Sequence, residues 1–81
     1  MNMYVGNLNY RVKERDLEEA MSAYGVVTSV KVITDRETGK SKGFAFVEME
    51  NDDEAAVAMK ELNGAEFMNR QLVIKEALPR S

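Results

Sequence analysis

Apolar residues recur every second position in some stretches of the chain and every third or fourth in others, and the two periods alternate. Residues 2–8 read as a strand, with Met3 and Val5 on one face and Tyr4 on the other. Leu17, Ala20, Met21 and Tyr24 then fall at i, i+3, i+4 and i+7, the spacing of an amphipathic helix, and Gly25 stands where a left-handed terminator is wanted. The start of this helix is less sharp, because Lys13 sits where a Ser, Thr or Asp cap is expected and accepts no hydrogen bond. The β-branched run Val26 to Thr34 is a second strand, with Val30 and Val32 on one side and Lys31 and Ile33 on the other. A polar segment with a turn glycine, Asp35 to Ser41, joins it as a hairpin to a third strand, residues 42–49. Asn51 with Glu54 three residues on is a box-like helix start, followed by Ala55, Ala58, Met59 and Leu62 at helical spacing and closed by Asn63-Gly64. A fourth strand carries Leu72 and Ile74 on one face and Gln71, Val73 and Lys75 on the other, before Pro79.

The order strand, helix, strand, strand, helix, strand is the split βαβ, or ferredoxin-like, arrangement. It predicts an α+β fold, βαββαβ, with a four-stranded antiparallel sheet and two helices on one face. The other sheet face is left bare. In the third strand, Lys42-Gly43-Phe44-Ala45-Phe46-Val47-Glu48-Met49, alternation sends Ala45, Val47 and Met49 one way and Lys42, Phe44 and Phe46 the other. The first set already makes a core face. The two phenylalanines therefore either meet a second layer of protein, the commoner fate of aromatic side chains, or stand in solvent as a ligand surface. Tyr4 joins them if the first and third strands are neighbours. Each ring offers about 150 to 250 Å², so half-exposing three displays roughly 300 Å², comparable to the largest apolar patch of a typical monomer.

At 81 residues the chain is expected to form one domain over residues 1–81, with a single modest core. No apolar run approaches the roughly 20 residues needed to cross a bilayer, and no signal-peptide pattern opens the chain, so a cytoplasmic location is expected. There is neither cysteine nor histidine, which removes disulfides, thiolate metal sites and the commonest general base. Most enzyme chemistries are disfavoured, and neither a metal nor a small-molecule cofactor is expected. The formal net charge of -3 argues against a polyanionic partner until its distribution is considered. Residues 31–42 hold Lys31, Arg36, Lys40 and Lys42 against Asp35 and Glu37, whereas residues 48–61 hold Glu48, Glu50, Asp52, Asp53, Glu54 and Glu61 against Lys60 alone. If the acidic stretch lies mostly on a helix behind the sheet, the field is two-faced.

The 42–49 octamer matches the RNA recognition motif signature at seven of eight places, Met49 being the departure. Met49 faces inward, so the change bears on packing more than on binding. Met3-Tyr4-Val5-Gly6-Asn7-Leu8, about forty residues upstream, resembles the companion hexamer of the same family. The resemblance covers residues 2–77 and extends to the small one-domain RNA-binding proteins of bacteria. It implies that the two signature strands are the central pair and that the partner is single-stranded RNA, bound by a monomer acting in post-transcriptional regulation or as an RNA chaperone. Carried onto these residues, Tyr4 and Phe44 would stack on successive bases, Phe46 would pack against the sugars between them, and Lys42 would meet phosphate or a base edge. Lys31, Arg36, Lys40, Lys75 and Arg80 are further candidate contacts, and residues 75–81 are expected to read base identity. Asn7 would shape the loop after the first strand, while Tyr10, Tyr24 and Phe67 are assigned to packing.

Two rivals come from other classes. The same scaffold could dock a peptide on its sheet or on its acidic helix face, or it could be an enzyme of ferredoxin-like fold, for which no nucleophile and base constellation is present. Thr38-Gly39-Lys40-Ser41 looks like the tail of a phosphate-binding loop, but the first glycine would fall at Thr34 and the segment leads into a strand. Asp52 and Asp53 resemble metal ligands, yet as helix-start residues they complement the macrodipole.

Overall fold

Hydrogen-bonded pairing of the strand-period runs and burial of their apolar parity generate the architecture of this computed structural model, which describes residues 1–77. The elements run β1 (Asn2–Gly6), α1 (Glu14–Ser22), β2 (Val27–Thr34), β3 (Ser41–Met49), α2 (Asp52–Leu62), β4 (Glu66–Phe67), β5 (Arg70–Gln71) and β6 (Val73–Ala77). β1, β2, β3 and β6 form one antiparallel sheet in the order β2-β3-β1-β6, so the two strands bearing the aromatic residues are its central pair. This is the α+β ferredoxin-like arrangement expected from the periodicity.

The core lies between one sheet face and the two helices. Met3 and Val5 of β1, Ala45, Val47 and Met49 of β3 and Ile74 of β6 are buried against Leu17 and Met21 of α1 and Ala55 and Ala58 of α2. Leu8, Val12 and Leu72 belong to the same core, and Tyr24 and Phe67 pack against it as expected. Among the described residues no polar or charged residue is buried. The helices thus satisfy one side of the sheet and leave the other to solvent.

Local chemistry fixes the element ends, not always as the sequence implied. Asn51 caps α2, its side chain accepting from Glu54 N at 3.0 Å, and Gly64, at φ 83°, takes the left-handed position after the helix. At α1 the cap is inverted. The Asp16 carboxylate accepts from Lys13 N at 2.9 Å, so the third residue of the helix supplies the oxygen that Lys13 lacks. Gly25 is not a left-handed terminator. Its backbone φ is not positive, and a Cβ there would come within 2.8 Å of Glu54 Cβ, so glycine serves the close approach of the α2 N-terminus.

The last strand begins at Val73, later than the alternation of Leu72 suggested, because a small hairpin precedes it. β4 and β5 pair through a two-residue turn in which Met68 (φ 49°) and Asn69 (φ 70°) are both left-handed. Asn69 is an ordinary residue for that turn and Met68 is not, so residue type alone does not announce the hairpin. Among the described residues no helix is long and apolar enough to cross a membrane.

Leu17→Ala, which opens a cavity between α1 and the sheet, is expected to lower the unfolding free energy by about 2 to 5 kcal/mol in urea denaturation. Asn51→Ala, which removes one cap bond, is expected to lower it by only about 1 kcal/mol.

Candidate nucleic-acid interface

The register of the sheet assembles the site. Lys31 of β2 faces Phe46 of β3, Phe46 faces Tyr4 of β1, and Tyr4 faces Lys75 of β6. Directly opposed residues share a face, so one row across the whole sheet reads lysine, phenylalanine, tyrosine, lysine, all on the side away from the helices. Phe44, two residues from Phe46 along β3, adds a third ring. The ring centroids form a nearly equilateral triangle of 5.7 Å (Tyr4 to Phe44), 6.0 Å (Tyr4 to Phe46) and 6.1 Å (Phe44 to Phe46). The Tyr4 and Phe44 planes are inclined by 33°, whereas Phe46 stands at 65° to Tyr4 and 89° to Phe44. All three are partly exposed, in contrast to Ala45 and Val47, which alternate with them and are sealed.

Gly6 has a part in this geometry that the sequence reading missed. A Cβ built at Gly6 would come within 2.7 Å of Tyr4 Cε1 and 2.8 Å of Tyr4 Cζ, so the tyrosine ring lies down over the bare glycine backbone. Tyr4 is thereby laid along the sheet instead of standing away from it. Asn7 then takes a left-handed turn, φ 57°, and donates from Nδ2 to Gln71 O at 2.7 Å, which accords with its expected role in shaping the loop.

Lys31 and Lys75 flank the rings and are exposed. Lys42 is exposed too, but Gly43 follows it at φ 84°, so the alternation that set Lys42 beside Phe44 is interrupted there. Arg36 and Lys40 are exposed on the hairpin loop beyond the paired strands, where Asp35 Oδ1 accepts from Glu37 N at 2.8 Å. The structure therefore brings Lys31 and Lys75 to the aromatic triangle and leaves Arg36 and Lys40 at the loop. Of residues 75–81, expected to read bases, Lys75, Glu76 and Ala77 belong to β6, while Pro79, Arg80 and the rest lie outside the described residues.

Two expectations need correcting. Tyr10, assigned to packing, is 68% exposed. Asn9 holds the preceding loop, accepting from Arg11 N at 2.9 Å and donating to Met68 O at 3.0 Å, and this leaves the Tyr10 ring outside the core beside Gly43. Glu48, grouped with the acids behind the sheet, is instead on the aromatic face, as its two-residue spacing from Phe46 should have signalled. The helices do carry eight of the chain's 14 acidic residues, so more than half of the acid lies on the elements behind the sheet, as the sequence suggested. Among the described residues no group of acidic side chains is disposed to hold a metal ion.

Residues 3–73 match the RNA recognition motif family profile, which spans both aromatic strands and both helices. The chain belongs to the RNA recognition motif family. Members of this family are binding domains, not catalysts, which disposes of the enzyme reading. The chain is 52% identical over 80 residues to RbpD, an inferred RNA-binding protein of Nostoc sp. (strain PCC 7120), covering 99% of this chain and 85% of that protein. Among solved structures it is similar to RNA Binding Protein PG1, with TM-score 0.97 and 59% identity over 100% of this chain and 98% of that one. It is also similar to the Rna15 RRM with bound RNA (GU), with TM-score 0.83 and 32% identity over 94% of this chain and 81% of that one.

In this RNA recognition motif, Gly6→Ala is expected to move the Tyr4 ring while changing the unfolding free energy by less than about 1 kcal/mol, because the obstructing group is a side chain free to rotate. Ring-to-ring NOEs between Tyr4 and Phe44 should weaken, with the core methyl signals unmoved.

Proposed function

We propose that this protein binds a short segment of single-stranded RNA on its bare sheet face, with bases stacked on the aromatic triangle. The observation that carries the reading is the exposure of Tyr4, Phe44 and Phe46 together, on a face with no covering layer among the described residues. Three adjoining rings spaced 5.7 to 6.1 Å apart suit successive nucleotides with the ribose between them. Tyr4 takes one base, and Phe44 and Phe46 share the second base and the intervening sugar. Membership in the family and the RNA bound to the Rna15 domain support the same partner.

Cations at both ends of the central row suit the phosphates that flank stacked bases. Lys31 and Lys75 lie on the two outer strands of the sheet, and Lys42 stands at the start of β3. Arg36 and Lys40 on the loop extend the basic margin for a longer strand, and Arg80 is a further candidate contact. The acidic helices repel the polyanion from the back and orient it to the front. Each stacked base contributes about 1 to 3 kcal/mol, and against the ordering cost of a flexible strand two stacks with a few phosphate contacts give roughly micromolar affinity. A monomer in the cytoplasm acting in post-transcriptional regulation or as an RNA chaperone fits a small, moderate-affinity surface. Peptide docking on the acidic helix face is the competing use of the same scaffold.

The combined variant Tyr4→Ala, Phe44→Ala and Phe46→Ala is expected to weaken binding of a labelled hexanucleotide by a factor of at least about 30, measured by fluorescence anisotropy. Unaltered affinity in a variant that still melts cooperatively would overturn the platform and favour the helix face. With about three cations near phosphates, the slope of log affinity against log salt is expected near -2, since a single strand releases about 0.7 counterion per contact.

A further inference from the structure

Glu48 is an anion on a face that the proposed function gives to a polyanion. It lies directly across from Ser29 of β2 and Asn2 of β1, and Asn2 in turn faces Ala77 of β6, so a second row runs parallel to the lysine and aromatic row. Between the rows is a cleft of about 300 Å³ lined by Asn2, Ser29, Lys31, Phe46, Glu48 and Ala77. That volume is at the low end for small-ligand sites, and one wall is the Phe46 side chain. The cleft is thus continuous with the surface on which bases are proposed to stack.

The carboxylate in this cleft is held in place. The register slips between Val27 and Ser29, so Thr28 is an extra residue of β2, and this bulge brings its hydroxyl to 3.0 Å from Glu48 Oε1 and 3.1 Å from Glu48 O. A hydroxyl has one proton, which these two acceptors share. Among the described residues no lysine or arginine forms an ion pair with Glu48, although Lys31 lines the same cleft. Glu48 therefore presents Oε2 and spare lone pairs of Oε1 to whatever enters, and a carboxylate only accepts.

We propose, resting on the RNA-binding reading above, that the Glu48 cleft is a base-identity pocket selecting a nucleobase with an exocyclic amino group on its Watson-Crick edge and rejecting uracil. Phosphate is repelled by the carboxylate, so the group that meets Glu48 is a donor. The 4-amino group of cytosine, the 6-amino group of adenine and the adjoining N1–H and 2-amino group of guanine all donate there, and guanine offers two parallel donors to two carboxylate oxygens. Uracil presents carbonyl oxygens on both sides of its single N3–H, and these oppose the carboxylate. Asn2 and Ser29 each offer a donor and an acceptor for the remaining edge atoms, and the Lys31 ammonium supplies a donor for a base carbonyl or the adjoining phosphate.

The test is a comparison of hexanucleotides by fluorescence anisotropy: hexauridylate against the same strand with one internal adenine, cytosine or guanine, for the natural protein and for Glu48→Gln. A glutamine keeps an acceptor for Thr28 and adds a donor for a uracil carbonyl, so the fold is retained while the selectivity is not. The natural protein is expected to bind the amino-bearing strands at least about fivefold more tightly than hexauridylate, and Glu48→Gln to reduce that ratio to within about twofold, in part through tighter binding of hexauridylate. Equal binding of all four strands by the natural protein, or an unchanged ratio in Glu48→Gln, would overturn the pocket while leaving the aromatic platform standing. Failure of the natural protein to bind any of the four would overturn the platform itself, and the pocket with it.

Discussion

One-sided burial of a pleated sheet is the constraint from which the rest of the structure follows. Met3, Val5, Ala45, Val47 and Met49 are sealed to 1% exposure or less against the two helices. Because successive strand side chains point to opposite faces, sealing these residues obliges Tyr4, Phe44 and Phe46 to face the other way. Among the described residues there are two helices, and both are used on the core side. The aromatic face is therefore exposed by the same packing that stabilises the fold, and a one-residue slip of register would bury the rings and expose the core.

Electrostatics follow the same division. A chain with net charge -3 looks a poor partner for RNA, yet eight of its 14 acidic residues are carried by the helices and the central row of the open face ends in lysine on both sides. The field a strand meets depends on which face it approaches. Glu48 is the exception, and on the proposed reading a carboxylate beside a stacking surface penalises phosphate and rewards an amino group at close range. On the proposed reading, the sheet face combines sequence-tolerant stacking on the rings with a discriminating position next to them.

Much of this was legible in the sequence because period and parity are local properties. The βαββαβ order, the caps at Asn51 and Gly64 and the outward rings of β1 and β3 could all be read from spacing. What could not be read depended on contacts between distant segments or on unusual backbone geometry. Gly25 resembled a helix terminator because glycine commonly is one, whereas its role is to admit Glu54, a neighbour supplied by the tertiary fold. The β4–β5 hairpin turns through a left-handed methionine, which propensity does not anticipate. Tyr10 looked like core by composition, but Asn9 ties its loop to Met68 and leaves the ring outside. Gly6 was legible only as a motif position until the Tyr4 ring was found lying on it, and Glu48 was grouped with its neighbours in sequence when parity assigned it to the other face.

The central claim is that the uncovered aromatic face, and not the acidic helices, is where RNA is held. Aromatic and methyl NMR spectra of the isotope-labelled protein, recorded as a short unlabelled single-stranded RNA is added, test it most directly. The account predicts that the ring signals of Tyr4, Phe44 and Phe46 shift upfield by stacking, while signals from the solvent faces of α1 and α2 stay where they are. Shifts confined to the helices, with the three rings unmoved at saturation, would contradict it.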